Sequence, residues 1–278
     1  MAFRFAASLD GVRDYWNARP CNIRHSDKEV GTLEYFTEVK NRKYLVEPHI
    51  LGFADFERWR GKRVLEIGSG LGTDTEMFAR HGAIVTAIDY SEESLKLAQK
   101  RIKIFELDKQ VTFYHADVER LSREIPVEKY DLIYSFGVLH HTPNPGMALS
   151  ELKKFMGRGS QLKIMVYHRD SLKAMGARLR HPLWPADKAI AMHSEAQTGC
   201  PVTYSYSRAS VRELLCGFKI TDMFVDHIFP YIIPLYKQYE YKKVWYFRML
   251  SQSIFHVLER TLGWHLCVTA TLPQEETL

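Results

Sequence analysis

The run Arg63-Val64-Leu65-Glu66-Ile67 breaks off into Gly68-Ser69-Gly70-Leu71-Gly72, and this junction constrains the fold more than any other part of the chain. A short β-branched, apolar run stopped by alternating glycines reads as a buried strand turning sharply into a helix. Glycine has no Cβ, so such a turn exposes bare backbone N–H groups to a ligand above the strand end. Turns of this kind belong to open α/β sheets, where ligands sit at the carboxyl ends of the strands.

The sequence around the turn supports that reading. Ala83–Asp89 has the pattern of a second strand, Val111–His115 of a third, Asp131–Phe136 of a fourth and Gln161–Tyr167 of a fifth. Helical patterns separate them, at about Thr73–Arg80, from Ser91 onward and near Pro145–Met156. Ser91 has the chemistry of an N-cap, and Glu92 and Glu93 complement the dipole of the helix it opens. Later come a helix over Ser207–Cys216, a strand over Phe218–His227, a helix over about Arg248–Thr261 and a last strand over Trp264–Thr271. Alternation of this kind predicts a mostly parallel sheet with helices on both faces. Two stretches lack the alternation, residues 168–206 and 229–247, and are read as insertions into one domain spanning residues 61–278. Residues 1–60 are read as a helical segment that folds over the mouth of the site as a lid.

Composition narrows the function classes. A chain with 46% hydrophobic and 26% charged residues has the makeup of a globular protein rather than a disordered one. The net charge of +5 is modest and its basic residues are scattered, so no nucleic-acid partner is expected. Cys21, Cys200, Cys216 and Cys267 form no CxxC pair, which suits a reducing compartment. No HExxH or spaced His/Asp cluster is present, so no metal is expected. The first ten residues lack a signal-peptide pattern, and no run approaches the roughly 20 apolar residues of a membrane helix. The expected location is the cytoplasm.

Gly68, Gly70 and Gly72 form GxGxG, while Thr73 stands where the dinucleotide fingerprint GxGxxG needs glycine. The segment Val64–Thr73 closely resembles motif I of the class I S-adenosylmethionine-dependent methyltransferases. Asp89 lies 17 residues after Gly72, where that family keeps an acid at the end of its second strand. Ala116-Asp117-Val118 resembles the family's element after strand three, and Asp131 to Pro145 resembles its fourth strand and following loop. The resemblance is strong over residues 60–170 and implies a Rossmann-like fold with a seven-stranded sheet. It also implies S-adenosyl-L-methionine as the cofactor, seated on Glu66, Gly68, Ser69, Gly70, Gly72 and Thr73. Asp89 would meet the ribose and Asp117 the adenine, and Tyr90, Val118 and Ser135 belong to the same seat.

Methyl transfer needs an aligned nucleophile, excluded water and, for many acceptors, a base. The resemblance implies a small-molecule acceptor methylated at O, N or C. His140 and His141 follow the fourth strand, in a segment that lines the active site of relatives, and either is a candidate base. Cys200 has no evident base beside it in sequence. The acceptor pocket is expected to be shaped by the two insertions, through segments 193–201 and 226–231 that include His227, and by Tyr204. Tyr15, Trp16, Arg19 and His25 of the N-terminal segment are expected to join them. The alternatives are a protein or RNA methyltransferase and a non-catalytic S-adenosylmethionine-binding module. A nicotinamide oxidoreductase is disfavoured by Thr73 and by Glu66 within the first strand. The oligomeric state is left open.

Overall fold

The computed structural model describes residues 9–194 and 200–273. Residues 195–199, part of the first expected insertion, lie outside the described residues. Seven strands form one sheet: β1 (Arg63–Ile67), β2 (Ile84–Asp89), β3 (Val111–His115), β4 (Tyr130–Phe136), β5 (Met156–Tyr167), β6 (Lys219–Asp226) and β7 (His265–Thr271). Their order across the sheet is β3-β2-β1-β4-β5-β7-β6. The first five run parallel, and β7 runs antiparallel to both β5 and β6. The expected Rossmann-like, mostly parallel sheet is therefore present. β5 starts at Met156, earlier than its pattern suggested, because an irregularity in its pairing with β4 carries the ladder back to Tyr130.

Central strands are buried on both faces, which is why β1, β4 and β7 read as near-continuous apolar runs. Strand order reverses between β1 and β4, and that switch point is where an open α/β sheet leaves a crevice at its carboxyl edge.

The N-terminal segment contributes α1 (Leu9–Ala18), α2 (Leu33–Val46) and α3 (His49–Ala54). After β1 come α4 (Thr73–Arg80) and, after β2, α5 (Glu92–Ile104). Polar groups anchor α2 to these two helices. Lys43 Nζ lies 2.6 Å from Asp74 and Lys40 Nζ 2.8 Å from Glu76, both on α4. The fully buried Arg101 of α5 donates to the Phe36 carbonyl at 2.7 Å. Paired charges of this kind tolerate burial because each has a partner. α1 lies on α5 with only Val12 of its residues buried, and Asn17 Oδ1 accepts from the Ser91 hydroxyl at 2.9 Å.

The two insertions are helical but lie apart from the switch point. The first carries helices over Leu172–Arg180 and Ala186–Ser194. The second carries short helices over Ile233–Tyr236 and Trp245–Arg248. It packs on the N-terminal segment, where the Arg42 guanidinium stacks 3.9 Å from the Tyr236 ring and 4.4 Å from that of Tyr239.

Candidate active site

A cavity of about 290 Å³ opens at the carboxyl edge of β1, β2 and β4, over the glycine turn. Gly68, Ser69, Gly70 and Thr73 form its floor. Gly68 adopts φ 76°, and a Cβ there would stand 2.3 Å from Val138 Cγ2, so backbone and loop meet at a distance only glycine permits. Gly72 has another task. It is the left-handed cap of α4 and packs on Ala98 of α5, away from the cavity lining.

Asp89 ends β2 at the cavity wall, its oxygens accepting backbone N–H groups of Gly70 and Ser91, each at 2.8 Å. Burial raises its pKa, while those N–H groups hold it down. Asp117 is buried at the adjoining wall, with Oδ1 accepting from the Glu119 N–H at 2.9 Å. Its Oδ2 makes no hydrogen bond, the nearest charge being Arg120 Nε at 3.5 Å. Ser69 Oγ is buried and equally unpartnered on the cavity floor. Ile88, Tyr90, Ala116 and Val118 line the wall between these acids. A carboxylate at each end of an apolar slot, with unused polar atoms along it, suits a ligand with a diol, an apolar ring and an amino group.

The second half of the cavity is roofed by α1 and the turn after it, through Val12, Arg13, Trp16 and Asn22. His141 and Pro143 from the loop after β4 face them. His141 Nδ1 lies 2.8 Å from the Val202 carbonyl, so this nitrogen carries the proton and Nε2 the lone pair. Its ring stands edge-on to Trp16. Beyond it the lining runs through Phe136, Met165 and Tyr167 to Lys43, Glu47 and His265.

Several expected residues lie elsewhere. His140 is fully buried, its ring 3.8 Å from that of Tyr167 with neither ring nitrogen hydrogen-bonded. Desolvation drives its pKa well below the ordinary value, so it is a neutral ring outside the cavity lining and not a base placed on it. Glu66 is buried behind the floor and accepts from the Thr75 hydroxyl. Desolvation, with Asp74 nearby, raises its pKa to about 8. Ser135 is buried inside β4. Tyr15 packs on Trp16 behind the lining, and Arg19 lies over the Tyr15 ring. His25 is half-buried and faces Tyr236, with desolvation lowering its pKa to about 3. The Tyr204 hydroxyl donates to the Pro143 carbonyl, so it braces the loop rather than lining the cavity. His227 lies behind His265.

The largest correction concerns the insertions. No described residue of 168–206 or 229–247 lines the cavity, which is closed by the N-terminal segment and the strand ends instead. A smaller one concerns Cys200, whose Sγ lies 3.4 Å from His141 Nδ1, a neighbour the sequence did not reveal. Lys43, Glu47, Tyr167 and His265 were missed because each belongs to a segment whose pattern signals only a helix or strand. Glu47, His227 and His265 also bring one ligating atom each to within 4.8 Å of the others, from positions too far apart in sequence for any spacing motif.

Comparison with known proteins agrees with this geometry. A family model described as a methyltransferase domain matches residues 65–164, which run from β1 into β5. Residues 65–164 are thus similar to the methyltransferase domains that this family model describes. The ubiquinone biosynthesis O-methyltransferase of Aromatoleum aromaticum is 34% identical over 110 residues, 40% of this chain and 46% of that protein. Its Nitrosospira multiformis counterpart is 36% identical over 101 residues, 36% of this chain and 41% of that protein. The chain thus spans less than half the length of the curated relatives it matches. Among solved structures, magnesium protoporphyrin IX methyltransferase from Synechocystis PCC 6803 with bound S-adenosylhomocysteine aligns with a TM-score of 0.61 at 18% identity. That alignment covers 96% of this chain and 100% of the other. Geranyl diphosphate C-methyltransferase from Streptomyces coelicolor aligns with a TM-score of 0.60 at 13% identity, over 96% of this chain and 99% of the other. These structural likenesses extend the shared fold beyond residues 65–164 to nearly the whole chain.

Proposed function

We propose that the chain transfers a methyl group from S-adenosyl-L-methionine to a small hydroxyl-bearing molecule. The observation that carries the cofactor is the pair of acids, Asp89 and Asp117, at the two ends of an apolar slot over a glycine floor. Asp89, held by two backbone N–H groups, presents its remaining lone pairs to the ribose diol. Asp117 Oδ2, buried without a hydrogen bond, fits the adenine amino group. The cofactor supplies the reactive methyl group. The chain's residues bind it, exclude water and align the acceptor.

His141 is the group on the cavity wall suited to take a proton, because Val202 fixes its tautomer with the lone pair on Nε2. Trp16 and the rest of α1 act as the lid that closes over both ligands. A roofed cavity of about 290 Å³ suits a small acceptor better than a protein or RNA surface. The relatives named for O-methylation favour oxygen as the accepting atom. Four free cysteines fit a reducing compartment, the cytoplasm. Among the described residues no helix is long and apolar enough to cross a membrane.

S-adenosylhomocysteine at a hundredfold excess over its dissociation constant should stabilise the protein by about 2.7 kcal/mol, and NADH should not. Asp89→Ala should abolish that shift while leaving the far-ultraviolet circular dichroism unchanged. A shift with NADH alone would refute the cofactor, and an undiminished shift in Asp89→Ala would refute its seat.

A further inference from the structure

The acceptor end of the cavity is walled by a cluster that the cofactor seat does not use. Glu47 directly follows α2, His227 directly follows β6, and His265 opens β7. The ladder sets Asp226 opposite His265, so the chain must turn at His227 to keep its ring beside β7. It does so in the left-handed region, at φ 72°, a conformation that non-glycine residues hold only when their surroundings fix it. The fixing contacts are the His227 N–H on Asp226 Oδ1 at 2.7 Å and the Trp264 N–H on the His227 carbonyl at 2.8 Å. The two imidazoles then stack 4.5 Å apart. His265 Nε2 faces Glu47 Oε1 at 3.6 Å, and His265 Nδ1 faces His49 Nε2 at 3.0 Å. His49 Nδ1, on the far side of that ring, is buried without a hydrogen bond.

We propose that Glu47, His227 and His265 bind a divalent transition-metal ion, zinc by their donor types, whose remaining position faces the cavity and takes the oxygen of the methyl acceptor. Two imidazoles and one carboxylate with an open position form a donor set suited to a zinc ion that also binds substrate. Bonds of about 2.0–2.2 Å draw the three ligating atoms closer together than their present separation. Glu47 and His265 line the cavity, so the ion is reached from it, while His227 closes the site from behind. His49 is the positioning residue. Its contact with His265 Nδ1 leaves His265 Nε2 directed at the ion.

The inference rests on the methyltransferase reading for its substrate. A hydroxyl coordinated to the ion gives up its proton to solvent through His141. The oxygen lone pair then forms the bond to the methyl carbon, the carbon–sulfur bond breaks with its pair staying on sulfur, and S-adenosylhomocysteine and the methyl ether remain. The ion changes no oxidation state.

The test is Co²⁺ binding to chelator-stripped full-length protein, followed by calorimetry and by visible absorption. One Co²⁺ per chain should bind, with the intense bands of a four- or five-coordinate site. His265→Ala and His227→Ala should each weaken binding by about a hundredfold, and His49→Ala by about tenfold. His181→Ala is the control, since its imidazole forms a separate pair with His193 at 2.9 Å, and should leave binding unchanged. Retained S-adenosylhomocysteine stabilisation in His227→Ala would show that this variant folds. Equal Co²⁺ affinity in native, His227→Ala and His265→Ala proteins would overturn the site. Catechol should shift the bands of the Co²⁺ protein, and bands unmoved by it would overturn the acceptor role. Co²⁺ binding lost with these ligands but no response to S-adenosylhomocysteine would uphold the metal site and defeat the methyltransferase reading alone.

Discussion

Glu66 shows how one residue of the motif can matter without lining the cavity. Its carboxyl is buried behind the glycine floor beside Asp74, and desolvation raises its pKa from 4.5 to about 8. In the unfolded chain this group ionises near 4.5, so between that pH and 8 unfolding releases a proton that the folded state retains. Its contribution to stability is therefore complete below about pH 4.5 and declines as pH rises through 8. Glu66→Gln removes the titration, and its unfolding free energy should gain on the native protein's between pH 5 and 9, by about 2 kcal/mol or more. Parallel pH profiles for the two proteins would contradict this account. Gly68 makes the opposite kind of demand, on space. Its positive φ and the 2.3 Å approach of Val138 to a would-be Cβ leave no room for alanine. Gly68→Ala should cost about 1–3 kcal/mol in urea unfolding and weaken S-adenosylhomocysteine binding at least as much. An alanine variant as stable as the native protein would show that the Val138 loop yields freely.

Among the elements, α1 and α2 differ in how they are held, and that difference decides which one can open the cavity. α2 is tied to α4 by Lys40–Glu76 and Lys43–Asp74 and to α5 through Arg101. α1 roofs the cavity and buries only Val12, against four buried residues on α2, with Asn17 bonded to Ser91 at the start of α5. Elements with few buried contacts open at lower free energy than the rest of the fold. The amides of α1 should therefore exchange with deuterium faster than those of α2, and S-adenosylhomocysteine should slow α1 selectively. Asn17→Ala removes the bond to Ser91 and should cost about 1 kcal/mol of ligand affinity, measured by calorimetry, with little change in α2 exchange. Equal protection of both helices without ligand would argue against a lid. The insertions take a structural part at this scale. Residues 200–204 brace the loop carrying His141, through the Val202 carbonyl and the Tyr204 hydroxyl, without reaching the cavity.

For the molecule as a whole, one cavity joins the N-terminal segment to the sheet, so ligand binding should stabilise both together. Far-ultraviolet circular dichroism reports the helices and the sheet, and tryptophan fluorescence reports Trp16, Trp59 and Trp264 among others. Their thermal transitions should shift upward by the same amount when S-adenosylhomocysteine binds. A shift in only one probe would mean that the N-terminal segment unfolds independently. The sequence by itself determined the α/β class, the strand pattern and the glycine floor with Asp89 and Asp117. These features depend on local periodicity and on a turn whose backbone geometry only particular residues adopt. The tertiary structure alone decided that the N-terminal segment and the strand ends, rather than the insertions, close the cavity. It also decided that His141 and not His140 faces the cavity, and that Glu47, His227 and His265 meet. Such pairings depend on how elements far apart in the chain pack at the edge of the sheet, and side-chain direction at that edge leaves no repeat or spacing in the sequence.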